Sequence, residues 1–162
     1  MEKNFNSLSD SLFSELKDGE NLILSFSGEN SQFVRFNNAS VRQTGIVDDG
    51  DLGLKFISND RTCHGGFTVS GDLNVDLDRG KAEIVRMRAE AKQIPEDPFL
   101  VLPENSGSSH EIKTASGLAF EDAVDALVPA MSGMDFVGIW ANGRMFRGNA
   151  NNLGQRHWFE TE

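Results

Sequence analysis

Cysteine is almost missing. Cys63 stands alone, so no internal disulfide framework can form and no zinc site of the multi-cysteine kind can be built; a reducing, cytoplasmic setting is the expectation. Base is scarce as well. Lys and Arg number 15 against 25 Asp and Glu, a formal net charge of −10, and a surface that acidic repels phosphate backbones instead of condensing onto them, so no nucleic-acid partner is expected. Long hydrophobic runs are also lacking: none approaches the ~20 residues of a membrane span. Met1-Glu2-Lys3-Asn4 has none of the basic-then-apolar order of a signal peptide. Neither a membrane nor an export route is implied.

The catalytic signatures are missing in turn. No Gly-x-Ser-x-Gly elbow, Walker loop or Gly-x-Gly-x-x-Gly turn occurs. His64, His110 and His157 are the only histidines, and no two stand at the i, i+4 spacing of a zinc-binding helix. Cys63-His64 would diverge to opposite faces of a strand, which suits a buried thiol beside an outward imidazole better than a nucleophile–base pair. His110-Glu111 lacks the second histidine of a metallopeptidase helix. Asp48-Asp49-Gly50-Asp51 is too short for a calcium loop and reads as a hairpin turn. No catalytic residue and no metal ligand is assigned.

What is present is the pattern of an α+β domain. Phe5, Leu8, Leu12, Phe13 and Leu16 have helical spacing, stopped by Gly19. Strands are predicted over 22–26 and 32–36, paired as a hairpin through Gly28-Glu29-Asn30, then over 40–47, 52–57 and 62–69, each closed by a polar or glycine turn. The period lengthens to a helix over 76–94, ended by Pro95. Pro98 to Pro103 reads as an edge strand or extended connector, and Glu104 to Gly117 as an exposed loop. A third helix is marked by Phe120, Ala123, Val124, Leu127 and Met131, with Pro129 expected to distort or shorten it. Asn142-Gly143 then reads as a type I′ turn between strands 135–141 and 144–147, with a last strand over 155–161. Four or five strand candidates in succession argue for a mostly antiparallel sheet, a meander plus a C-terminal hairpin, with about three helices packed on it. The whole of 1–162 is read as one such domain.

The arginines of the strand candidates, among them Arg35, Arg42, Arg144 and Arg147, are either the polar half of alternating strands or anchors for a peptide carboxylate or an acidic partner. Trp140, Trp158 and Phe159 lie close to the C-terminus, where a dimer or an exposed apolar patch is expected. These seven residues are the candidate substrate or partner contacts.

Phe33-Val34-Arg35-Phe36-Asn37-Asn38-Ala39-Ser40-Val41-Arg42-Gln43-Thr44-Gly45 resembles the N-terminal region of the TldD/PmbA family, zinc metallopeptidases also called modulators of DNA gyrase. The likeness continues through Pro95-Glu96-Asp97-Pro98 and Gly138-Ile139-Trp140 to Asn151-Asn152-Leu153-Gly154, which is similar to the family's Asn-Ser-x-Gly with Asn152 in place of serine. The family's His-Glu-x-x-x-His is not matched, since Ala115 stands where His110-Glu111 would need its second histidine. The resemblance therefore implies a non-catalytic N-terminal domain of a longer protein truncated at its C-terminus, with no cofactor in this chain and zinc only in an absent C-terminal peptidase domain. It further implies packing against that domain, a homo- or heterodimer with a family paralogue, and a cleft for peptide or unfolded protein. The alternative is a free-standing protein-interaction module with the same fold and no peptidase.

Overall fold

A computed structural model describes residues 1–104 and 107–162. Three helices and six strands follow one another as α1 (Glu2–Phe13), β1 (Glu20–Asn37), β2 (Ser40–Ser58), β3 (Arg61–Thr68), α2 (Leu73–Glu90), β4 (Ser109–Lys113), α3 (Phe120–Met131), β5 (Gly138–Asn151) and β6 (Arg156–Thr161). The strands form a sheet in the order β3-β2-β1-β5-β6-β4. It is the α+β architecture expected, with a mostly antiparallel sheet.

Two compact units divide the chain. The first comprises Met1–Gly28, Asp49–Glu111 and Phe146–Phe159; the second comprises Glu29–Asp48, Ile112–Met145 and Glu160–Glu162. β1, β2 and β5 each give one part of their length to either unit.

In the first unit α1 and α2 cover strand residues of alternating burial. Phe5, Leu8 and Leu12 from α1 and Ile84 and Met87 from α2 meet Leu22, Leu24, Leu52, Leu54 and Phe56 from β1 and β2. Gly80 permits the helix crossing, because a Cβ there would stand 2.6 Å from Leu12 Cδ2. Asp72 caps α2 by accepting from the Asn74 and Val75 amides at 2.9 and 3.3 Å. Buried Asp76 accepts from the Ser70 amide, the Ser70 hydroxyl and the Gly71 amide at 2.7, 2.9 and 3.1 Å, which fixes the entry to the helix. α2 passes into a 3₁₀ turn, Ala91–Gln93, and Ile94 is extended, as a residue before proline must be.

In the second unit α3 lies on a smaller core of Val34, Phe36 and Met131, with Phe120, Val124, Leu127 and Trp140 partly buried around it. α3 accommodates Pro129 in its last turn and stops at Met131, with Gly133 at φ +79° beyond it.

Several boundaries differ from the sequence reading, for related reasons. The predicted 22–26 and 32–36 hairpin is one strand of 18 residues. The predicted strands 40–47 and 52–57 are likewise one strand of 19. Gly28 and Gly50 are not turn residues: a Cβ at either would stand 2.9 Å from the Phe26 ring, so the glycines leave room for an aromatic side chain lying over the strands. Asn142-Gly143 makes no hairpin and sits inside β5. There a Cβ would run into the Asn30 carbonyl oxygen and Ser31, so Gly143 serves close approach of two backbones. The true tight turns are Asn38-Ala39 and Asn59-Asp60, whose four residues all have φ between +49° and +57°.

Pro98 to Pro103 forms no strand and connects as an irregular segment. The loop expected over 104–117 contains β4, whose five residues are all exposed and so gave no burial pattern; positions 105 and 106 of that loop lie outside the described residues.

Candidate functional site

Few side chains of the chain are arranged for chemistry. Cys63 is buried and its thiol is pushed above the ordinary range by desolvation, while His64 next to it is exposed. The two diverge as the strand geometry predicts. Ser109 Oγ lies 2.8 Å from His157 Nδ1 across β4 and β6. No acid orients His157 among the described residues, so a nucleophile–base–orienter set is incomplete there. His110 Nε2 stands 3.2 Å from Glu2 Oε2. Among the described residues no three of His, Cys, Asp and Glu are grouped as a metal would require. Nor is any helix among them long and apolar enough to cross a membrane.

The Asn151-Asn152-Leu153-Gly154 segment acts on the backbone instead. Asn151 Oδ1 accepts from the Leu153 and Gln155 amides, both at 3.0 Å, and closes the turn into β6. Asn152 Oδ1 accepts from the Leu22 amide at 2.8 Å and its Nδ2 donates to the Glu20 carbonyl at 3.4 Å, so its side chain satisfies the start of β1.

The seven candidate contact residues are divided between the two units. Arg147, Trp158 and Phe159 belong to the first unit; Arg35, Arg42, Arg144 and Trp140 belong to the second. Trp158 departs furthest from expectation. It is 3% exposed, with Phe5, Phe26 and Phe146 ring centroids 5.9 to 6.0 Å away, because β6 lays it into the first unit's core. It therefore belongs to no exposed patch. Phe159 is half-buried, and Arg147 is exposed and donates to the Phe146 carbonyl at 2.9 Å. Trp140 is half-buried against Phe120, 5.9 Å between centroids. Arg144 faces Glu160 at 3.4 Å. Arg35 is exposed and stacks over the Phe33 ring at 5.3 Å. Arg42 is exposed and has no ion pair or hydrogen bond among the described side chains.

A feature of backbone geometry lies beside Arg42, the one of these candidates on β2. β3 pairs with β2 only from Asp51↔Thr68 to Ser58↔Arg61, and the Val69 amide donating to the Gly50 carbonyl at 2.8 Å is the last bond of that pairing. From Ser40 to Asp49, β2 has β1 as its only strand neighbour among the described residues. No strand among the described residues pairs with its other edge. Val41 and Ile46 are exposed along this segment, Ile46 to 73%. Charges at Arg42, Asp48 and Asp49 are the usual guard of such an edge. Individual side chains in the sequence suggested Arg35 and Arg42; the open edge itself had no sequence signal, because it depends on where β3 ends.

The fold so defined is an α+β fold with a mostly antiparallel sheet, and it recurs in larger proteins. No protein-family model matches the sequence, and no curated protein matches it. Among solved structures, a candidate modulator of a DNA gyrase from Thermotoga maritima aligns over 97% of this chain and 37% of its own, at a TM-score of 0.69 and 16% identity. TldE from Thermococcus kodakarensis aligns over 98% of this chain and 37% of its own, at 0.68 and 14%. A candidate modulator of DNA gyrase from Bacteroides thetaiotaomicron aligns over 98% and 38%, at 0.61 and 15%. The chain thus spans little more than a third of the length of these proteins. The likeness at such identities is one of fold, and its direction agrees with the resemblance carried by residues 33–45.

Proposed function

We propose that this chain is a non-catalytic N-terminal domain of a TldD/PmbA-like protein of the metallopeptidase family, one that holds peptide or unfolded protein in an extended form and takes part in dimerisation. Peptide-bond cleavage, and the zinc for it, then belong to a C-terminal peptidase domain beyond this chain, against which it packs. The observation that carries the reading is the unpaired edge of β2 from Ser40 to Asp49. An extended peptide can add there as a further strand, with main-chain hydrogen bonds giving affinity that does not depend on sequence. Val41 and Ile46 offer apolar contact beside it, and Arg42 offers a partner for an acidic residue.

The test is amide hydrogen exchange with an unstructured peptide of mixed sequence. Only every second N–H of an antiparallel strand points outward, so alternate amides of Ser40–Asp49 should slow while those of β3 stay unchanged. Unaltered exchange over 40–49 at saturating peptide overturns the assignment of the edge. The chain alone should also show no peptidase activity that a chelator removes and zinc restores. A free-standing interaction module would show the same exchange pattern with a folded partner protein and none with unfolded peptide.

A further inference from the structure

In a chain of net charge −10, four cations converge on one cleft of the first unit. Lys17 comes from the connection after α1, Arg61 from the start of β3, and Arg88 and Lys92 from the end of α2 and its 3₁₀ turn; they line a cavity of about 270 Å³. Glu20 is the only acid on the same lining; its oxygens accept from Arg88 at 2.6 and 2.7 Å and from the Lys17 amide at 2.9 Å. Arg61 is balanced from outside the lining by Glu96 at 2.9 Å. Glu15, whose backbone carbonyl also accepts from Arg88, has its carboxylate paired with Lys81 at 2.8 Å. Lys17 and Lys92 are both exposed; the Lys17 backbone amide donates to Glu20 Oε2 at 2.9 Å, but neither side-chain ammonium is in a hydrogen bond or ion pair with an acid among the described residues. The negative end of the α2 dipole accounts for cations at Arg88 and Lys92. It does not account for Lys17, which arrives from a different element.

We infer that this cleft binds a phosphate-class dianion. Four cations against Glu20 and Glu96 leave the cleft two positive charges in excess, which match the two negative charges of a phosphate monoester, and charge-assisted hydrogen bonds from the two ammonium groups are the strong kind. Ser58 and Asn59, which border the same cavity, supply neutral donors. The volume admits a phosphate group with a small organic body. The inference is independent of the open β2 edge and of any peptidase partner.

The test titrates the whole chain with inorganic phosphate and, separately, with glycerol phosphate, against sodium chloride at matched ionic strength, following amide resonances and Tm. Both phosphates should shift the amides of Lys17, Asn59 and Lys92 and raise Tm, and chloride should not. Tighter binding of the ester identifies an organic phosphate as the ligand, and equal or tighter binding of the inorganic ion identifies free phosphate. The double variant Lys17→Gln/Lys92→Gln changes only exposed side chains, so it should keep the native spectrum while affinity falls about tenfold or more, the equivalent of about 1.4 kcal/mol. The inference is overturned if chloride reproduces the shifts, if the shifts lie elsewhere, or if the natively folded double variant binds as tightly as the parent.

Discussion

The two units share strands β1, β2, β4, β5 and β6, while β3 belongs to the first alone, and their cores differ in size. In the first, two helices close over a core in which Leu12, Leu22, Leu24, Phe56 and Met87 are completely enclosed. In the second, one helix covers Val34, Phe36 and Met131, while Ile46, Val137 and Ile139 remain 60 to 73% exposed. β2 shows the contrast within a single element: from Gly50 to Ile57 its side chains alternate into the core, and from Ser40 to Thr44 every one is exposed. Burial buys stability in proportion to apolar area, so the first unit is the anchor. Both units expose apolar side chains, the first most of all at Phe99 and Val101, but the unpaired edge of β2 lies in the second, a feature of a region that meets something else.

The largest effect that would sharpen this contrast is expected at Trp158. Trp158→Ala should cost about 3–5 kcal/mol, as large-to-small changes of buried aromatics do, whereas Trp158→Phe should be close to neutral. The indole N–H has no hydrogen-bond partner among the described residues, so phenylalanine keeps most of the ring contact and removes an unsatisfied donor. Urea melts of both variants would show it. Next comes a pair of substitutions on one strand. Leu52→Ala should cost about 2–4 kcal/mol and Ile46→Ala less than about 0.5 kcal/mol; equal losses in chemical denaturation would break the comparison.

A third effect concerns acid. Arg88 hydrogen bonds hold the Glu20 carboxyl below the usual carboxylate range. The sign follows from linkage: with the folded value lowered, the contribution is complete above the unfolded value of about 4.3 and is lost as pH falls through the folded one. Glu20→Gln should cost about 2 kcal/mol at neutral pH and flatten the acid limb of the stability profile. A parent-like limb in the variant would contradict this. The smallest effect lies in the second unit, at Ala39. It sits at φ +53°, where a Cβ is strained, so Ala39→Gly should stabilise by about 0.5–1 kcal/mol, the gain being limited by the greater freedom of glycine in the unfolded chain. The Ala39 amide's bond to the Phe136 carbonyl, 3.2 Å, is kept by glycine, so a lowered denaturation midpoint would show that the Ala39 methyl, packed against Val34, Phe36 and Met131, outweighs the strain.

The elements with strong periodicity were legible from sequence: all three helices, the Asn59-Asp60 turn, β3 and β6. The misread places share one cause. Gly28, Gly50 and Gly143 read as turns in the sequence because glycine tolerates positive φ, yet their neighbours show that each is there for want of a Cβ. A sequence lists the residue and not what occupies the space beside it. β4 carries no apolar alternation because its side chains are all exposed, and its backbone pairing is non-local; the Glu162 amide donates to the Lys113 carbonyl at 3.1 Å. As for the site, Arg35 and Arg42 were visible as charges on strands, but the edge beside them arises from a mismatch in length between β2 and β3, which local patterns do not encode.

The chain contains two tryptophans and no tyrosine. Trp158 lies in the core of the first unit and Trp140 against that of the second. Each unit consequently carries one intrinsic fluorophore of its own, and with one indole replaced by phenylalanine the emission of the other reports a single unit, free of tyrosine background. Whether the anchor and the open unit melt together or in turn is then written in the colour of the protein's own light.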